Sequence, residues 1–535
     1  MADKPAARAS MAGQPSDQAG ALEGANSSLD GAGGEVERAA LDGVADDARA
    51  LKRALLVQVI GYGLKAGFPV LLALATQAYG VRTWGVFVSL QALAMLTARL
   101  SLLGLDKATL WWVGSHDPKD MLRGLLPTAA LTALTSSAIA GAVALAGSLL
   151  LARWDAAAAA QVPALRIMLL GVPLMAITDV LLHASMGRRK MDQQVAVRDT
   201  LAPAAWLGSA LLFHALGWIE TGLAWAFAVS HAVGLGAALW LFAKSSPLLS
   251  LRGSLGLPPR ELMRYALPLW LNEVANTTLL RVDTLIVVAL TDPFTVGIWG
   301  VMSQLGNALR SIRRAFDPIL IAVTARISRA HDPVRLGHAL SYATQLVSLS
   351  QLPVFVFLCV FAPVLLPLYG KGFEQGASAL AVLLGFLLVS GGALSLAGVV
   401  VAGYGHARWA LFVTLIGLAI EVPLLFLLVP RYGLVGAAIG VGAANVSQQL
   451  VNLALMARFT GGLHFNERAR RPLLPSLCAS ACALATWLAL AAGRRSEWTI
   501  ALGAFAAFAI PYALAIGSQW KRGLLRAPGY DNAVS

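Results

Sequence analysis

Charge is scarce in this sequence. Only 13% of its 535 residues are Asp, Glu, Lys or Arg, while 57% are hydrophobic and the mean hydropathy is +0.69. A water-soluble chain of this length needs far more charge to cover its surface, so a polytopic membrane class follows. Cysteine is almost missing as well. Cys359, Cys478 and Cys482 lie in apolar runs with no His or acid close enough to suggest a metal site. They read as small packing residues.

Motifs that carry covalent chemistry are also lacking. No Asp-x-Asp occurs, as a metal-dependent sugar transferase would need, and no Gly-x-x-x-x-Gly-Lys-Ser/Thr loop is present to cradle a nucleotide. The one Gly-Lys pair, Gly370-Lys371, runs on into Gly372. The expectation is a non-enzyme with no catalytic residue, no metal and no cofactor.

What is present is a series of apolar runs. Fourteen are long enough to cross a bilayer, near 54–78, 84–105, 124–151, 163–184, 200–217, 222–242, 266–290, 295–315, 341–368, 378–403, 409–429, 433–456, 473–492 and 498–517. The fold class expected is therefore all-α. Residues 1–50, with four basic and nine acidic residues and almost nothing to bury, read as a disordered tail without signal-peptide features. The remainder then stands at +18 against +13 for the whole chain. Counted with their flanks, the even-to-odd connections hold 22 Lys or Arg and the opposite set 7. That bias places both termini in the cytoplasm and leaves only short connections outside. The surplus reflects topology and an anionic ligand, with no nucleic acid implied.

The chain also resembles itself at a displacement of 211 residues. Leu51–Asp106 matches Leu262–Asp317, pairing Arg53 with Arg264, Arg99 with Arg310 and Asp106 with Asp317; Gly85 and Gly297 correspond after a one-residue shift. Two parallel six-helix lobes are expected, 51–243 and 263–458, joined by a cytoplasmic linker at 244–262. A loop at 459–472, a helix pair at 473–517 and a tail at 518–535 complete the layout. In such a duplication the substrate path lies between the lobes.

Lys65, Arg99, Arg281 and Arg310 sit within or at the end of spans. Each would cost about 2.5–3.5 kcal/mol facing lipid, so they are expected to face a wet cavity. On a continuous seventh helix, Asn272, Glu273, Asn276, Thr277, Arg281, Asp283 and Thr284 share one half of the wheel. On the eighth, Ser303, Gln304, Asn307, Arg310, Ser311 and Arg314 do so. A column of cations in a low-dielectric cleft favours an anion, and Arg grips phosphate oxygens bidentately. Glu273, Asp283, Asp179 and Glu421 are candidates for coupling to a proton, to sodium or to the membrane potential. His183, His214 and His231 read as satisfied packing residues.

"YGVRTWGVFVSLQALAMLTARLSLLGLDKATLWWV" and "LMRYALPLWLNEVANTTLLRVDTLIVVALTDPFTVGIWGVMSQL" resemble the polysaccharide biosynthesis, O-antigen flippase-like family. That family belongs to the multidrug/oligosaccharidyl-lipid/polysaccharide (MOP) exporter superfamily. The likeness covers about 50–460 in layout. It rests on a Gly-containing turn after the first span, Gly-Leu-Asp ending the second, and Pro268 and Asp283 in the seventh. It implies a two-lobed flippase in the cytoplasmic membrane that moves polyprenyl-diphosphate-linked oligosaccharides by alternating access. Polysaccharide polymerases and glycosyltransferases would be its partners. Lys65, Arg99, Arg281 and Arg310 occupy the four helices whose cations contact the diphosphate in relatives. A multidrug exporter of the superfamily, favouring acids in its cavity, and a membrane glycosyltransferase or polymerase are the alternatives.

Overall fold

The computed structural model describes residues 71–116, 118–154, 156–188, 190–245, 257–314, 320, 324, 333–391, 393–404, 408–462, 473–493 and 496–521. The expected tail at 1–50, most of the first span with Lys65, much of the linker, and Asp317 lie outside them. Among the described residues the chain is helical without strands, and eight helices are long and apolar enough to cross a membrane. It is a multi-pass membrane protein.

The first bundle begins with α1 (Leu71–Ser101), interrupted by left-handed Gly80, where the first span ends and the second begins. Helices α2 (Leu105–Ser115), α3 (Pro118–Trp154) and α4 (Val162–Gly187) follow. A π-helix at Val195–Leu201 leads into α5 (Ala202–Ala215), and α6 (Gly222–Ser245) closes the bundle. Helix α4 is its centre, packed on α2, α3 and α6. The short α2 is set at an angle by left-handed Leu103 and Gly104.

The second bundle comprises α7 (Arg260–Leu279), α8 (Val282–Leu290), α9 (Pro293–Arg314) and α10 (Pro333–Leu365). After them come α11 (Ala377–Gly391), α12 (Ala397–Gly403) and α13 (Trp409–Thr460). Helix α13 turns back at Gly433, so its 52 residues cover two spans. Asp292 caps α9, accepting from Thr295 Oγ1 at 2.6 Å and Thr295 N at 3.2 Å. Those bonds hold its carboxyl below the usual carboxylate range. The final pair, α14 (Leu473–Ala492) and α15 (Glu497–Lys521), lies against α10 through Phe357, Phe361, Phe505 and Phe508.

Two expectations change. The seventh span is not one helix: it breaks at Leu280–Arg281, where Arg281 takes a non-helical φ of −130°. The tenth is interrupted by a 3-10 turn at Ala393–Leu396. The cysteines also divide. Cys359 is half-buried against the core, whereas Cys478 and Cys482 are exposed on α14.

Among the described residues the bundles pack on each other at both ends. At one end, Gly85 of α1 lies against the first turn of α9, and an apolar core runs from Trp84, Phe87 and Trp206 to Trp299 and Met302. At the other, α2 packs on α7: Gly104 abuts the backbone of Ala266 and Trp270, Trp270 Nε1 donates to Leu100 O at 3.1 Å, and Trp111 stacks on Tyr265 at 4.6 Å.

Candidate functional site

Between those contacts lies a cavity of about 630 Å³. Helix α1 supplies Gln91, Met95 and Arg99, α4 supplies Thr178 and Asp179, and the π-helix supplies Arg198 and Asp199. From the second bundle come Thr277, Arg281, Asp283 and Thr284, then Ser303, Gln304, Asn307 and Arg310 of α9. Tryptophans 84, 206 and 299 form apolar wall, and His231, edge-on to Phe227 at 4.4 Å, completes it.

Arg99, Arg281, Arg310, Asp179, Asp283, Gln304 and Asn307 therefore line one cavity. Glu273 and Asn276 do not. Asn276 is exposed, and Glu273 forms an ion pair with Lys107 of α2, bridging the bundles beside the cavity. Thr277, one turn after Glu273 on the same face of α7, does line the cavity, so Glu273 is separated from it by its place along the helix, at the α2–α7 contact. His183 and His214 behave as packing residues, the first with Nδ1 2.7 Å from Asp179 O, the second edge-on to Tyr79 at 5.2 Å. Glu421 is buried beyond the lining, near Asp283 and Arg310.

The arginines expected along the path have carboxylates among them. Four guanidiniums face three carboxylates, and in the first bundle they are paired. Arg99 Nη1 donates to Asp106 Oδ2 at 3.0 Å, across the bend at Gly104, and its Nη2 lies 3.7 Å from Asp179 Oδ2. Arg198 Nη1 donates to Asp179 Oδ1 at 2.9 Å. Arg198 and Asp199 escaped the sequence reading because "MGRRKMDQQVAVR" looks like a basic loop. A seven-residue π-helix carries that stretch into the cavity, and such bulges recur at functional sites.

Arg281 is different. Its Nη2 rests 2.7 Å from Met95 Sδ, and among the described residues no carboxylate lies within 4 Å of it. Asp283, two residues on, instead accepts from Thr284 N at 2.5 Å and Thr284 Oγ1 at 3.1 Å in the first turn of α8. Arg281 thus caps a half-helix whose positive dipole end adds to its own charge. Arg310 Nη1 reaches Asn307 Oδ1 at 3.4 Å on the same wall.

Comparison with known proteins places this architecture. The profile of the family described as "Polysaccharide biosynthesis protein" matches residues 83–377, more than half of the chain. The chain belongs to this family. A curated relative, an uncharacterized membrane protein of Methanocaldococcus jannaschii, is 23% identical over 201 residues, covering 37% of this chain and 46% of the relative. The match thus spans about half of that protein's length. Among solved structures, the lipid II flippase MurJ in an inward closed conformation aligns with a TM-score of 0.66 at 14% identity, covering 88% of this chain and 99% of MurJ. An inward-facing multidrug resistance MATE family transporter of the MOP superfamily aligns at 0.62 and 15%, covering 76% and 98%. This polysaccharide biosynthesis family member therefore has the MOP fold, with α14 and α15 following its two bundles.

Proposed function

We propose that the protein is a flippase that moves a polyprenyl-diphosphate-linked oligosaccharide from the cytoplasmic to the outer leaflet of the cytoplasmic membrane, for cell-surface polysaccharide synthesis. Both termini are taken as cytoplasmic, from the distribution of basic loops. The observation that carries the reading is Arg281, a guanidinium in the cavity with no carboxylate within ion-pair distance among the described residues. A buried cation without a counter-ion is costly, and an arriving diphosphate would supply one with several acceptors at once. Family membership and the fold shared with a lipid II flippase support the same substrate class. Moving such a lipid requires a solvated path for the head group past about 30 Å of hydrocarbon, and no bond need be made or broken. Coupling to a proton, to sodium or to the membrane potential would act through Asp179 and Asp283, two of the three buried carboxylates of the cavity wall.

The test is Arg281→Ala beside Arg281→Lys, at matched membrane levels, with surface glycan measured on whole cells. Export should fall by more than about tenfold in the alanine variant, with lipid-linked oligosaccharide accumulating inside. Undiminished export by Arg281→Ala would remove the reading. The three lining aspartates favour a second reading, an exporter of cationic small molecules. In that case dye efflux would depend on Asp283 while surface glycan stayed constant.

A further inference from the structure

Asp179 lies between two arginines from different segments and satisfies only one of them. Its Oδ1 accepts from Arg198 Nη1 at 2.9 Å. Its Oδ2 stands 3.7 Å from Arg99 Nη2, beyond hydrogen-bond distance, and among the described residues has no other hydrogen-bond partner. The side chain is only 4% exposed, and it forms part of the cavity wall. A buried carboxylate oxygen without a donor is uncommon, because it loses water and gains nothing in exchange.

We propose that Asp179 is an internal counter-anion: it holds Arg99 and Arg198 while the cavity is empty and is displaced from them when a diphosphate enters. The inference rests on the flippase reading and deepens it, since it names the residue that competes with the substrate head group. Three observations point this way. Asp179, Arg99 and Arg198 all face the one cavity, so a ligand there meets the ion pairs directly. The guanidiniums also have donors to spare. Each carries five N–H groups, yet Arg99 spends one hydrogen bond on Asp106 and Arg198 one on Asp179. A diphosphate brings more acceptors and more charge than one carboxylate, so it can outcompete Asp179 for the rest. Finally, Arg99 has a 3.0 Å bond to Asp106 that does not involve Asp179, a second partner besides the carboxylate to be displaced.

The arrangement trades affinity for release. While Asp179 occupies the arginines, only a fraction of the molecules is ready to bind, and the apparent affinity is reduced by that fraction. In return, once the diphosphate begins to leave, the carboxylate closes on the two cations and discourages rebinding. Together with Asp106 it also neutralises Arg99 and Arg198 during the return of the empty carrier. A carboxylate that only fastened α4 to its neighbours would have no such effect on ligand.

The experiment uses the full-length protein in lipid nanodiscs and farnesyl diphosphate as probe, with binding measured by titration calorimetry. Asp179→Asn, which keeps the shape and an oxygen for Arg198, should bind the probe about tenfold more tightly than wild type. In cells the same variant should export surface glycan more slowly. Arg198→Gln should weaken probe binding by a similar factor. Unchanged or weaker binding by Asp179→Asn overturns the proposal. If that variant does not fold, Arg198→Gln decides, and wild-type affinity there overturns it. Wild type that binds no probe removes the diphosphate reading and this inference with it, whereas binding by wild type with no gain in Asp179→Asn sinks the inference alone.

Discussion

Gly85 of the first bundle and Gly297 of the second, counterparts in the internal repeat, face each other where the bundles meet. A Cβ on Gly85 would stand 1.7 Å from Pro293 O and 2.9 Å from Gly297 N, and one on Gly297 would stand 2.2 Å from Val81 O. The helices approach backbone to backbone, and neither position has room for a side chain. This is the small-residue contact that lets membrane helices pack without a hydrophobic driving force. Gly85→Val should therefore destabilise the protein by about 1–3 kcal/mol or part the bundles at this end. Thermal unfolding in detergent, with cysteine cross-linking across the contact, would check it. An unchanged melting temperature and unchanged cross-linking would contradict the packing described.

Lys107 and Glu273 tie the bundles at the opposite end, with side chains 40% and 15% exposed. A pair this accessible is worth about 0.2–1 kcal/mol, so it acts as a latch and not as a foundation. Lys107→Glu should speed cross-linking-detected opening at the α2–α7 contact, and Lys107→Glu with Glu273→Lys should restore the wild-type rate. A double variant no slower than the single one would show that charge pairing is not what holds this end.

Asp292 joins α8 to α9 outside the spans, and its carboxyl titrates low because Thr295 donates to it. Since the folded form has the lower pKa, the stabilisation is complete above the unfolded value of about 3.9 and disappears as pH falls through the folded one. Asp292→Ala should cost about 0.5–2 kcal/mol at neutral pH and less in acid. Melting curves of both proteins at several pH values should converge as pH falls. A constant gap would mean that the cap is not the source.

Gly433 offers a different kind of test, because nothing lies within 4 Å of where its Cβ would be. Its φ of 54° and ψ of −131° are open essentially only to glycine. Gly433→Ala should cost about 1–3 kcal/mol purely through the backbone. Measured by the same melts, a cost of zero would show that the fold-back of α13 tolerates another conformation.

Some of this was open to reading from the residues alone. The apolar runs, the basic loops and the repeat register are properties of the local chain, and they named the membrane class, the paired bundles and the wall of Ser303, Gln304, Asn307 and Arg310. The bilayer makes them legible, since it demands long helices and penalises every charge. Arg281 was identified for that reason, although the wheel that grouped it with Glu273 assumed a helix that does not continue. Arg198 and Asp199 looked like loop residues, because a π-turn leaves no periodic signature in seven residues.

Composition, then, determined that charged residues are buried in membrane helices, and periodicity gave the lining face of α9. Only the tertiary structure decided which charges meet. Asp106, Asp179 and Glu273 neutralise Arg99, Arg198 and Lys107, while Arg281 is left facing the cavity. Helical spacing describes a single helix, whereas ion pairing depends on crossings between helices and on breaks within them, and neither is encoded at short range.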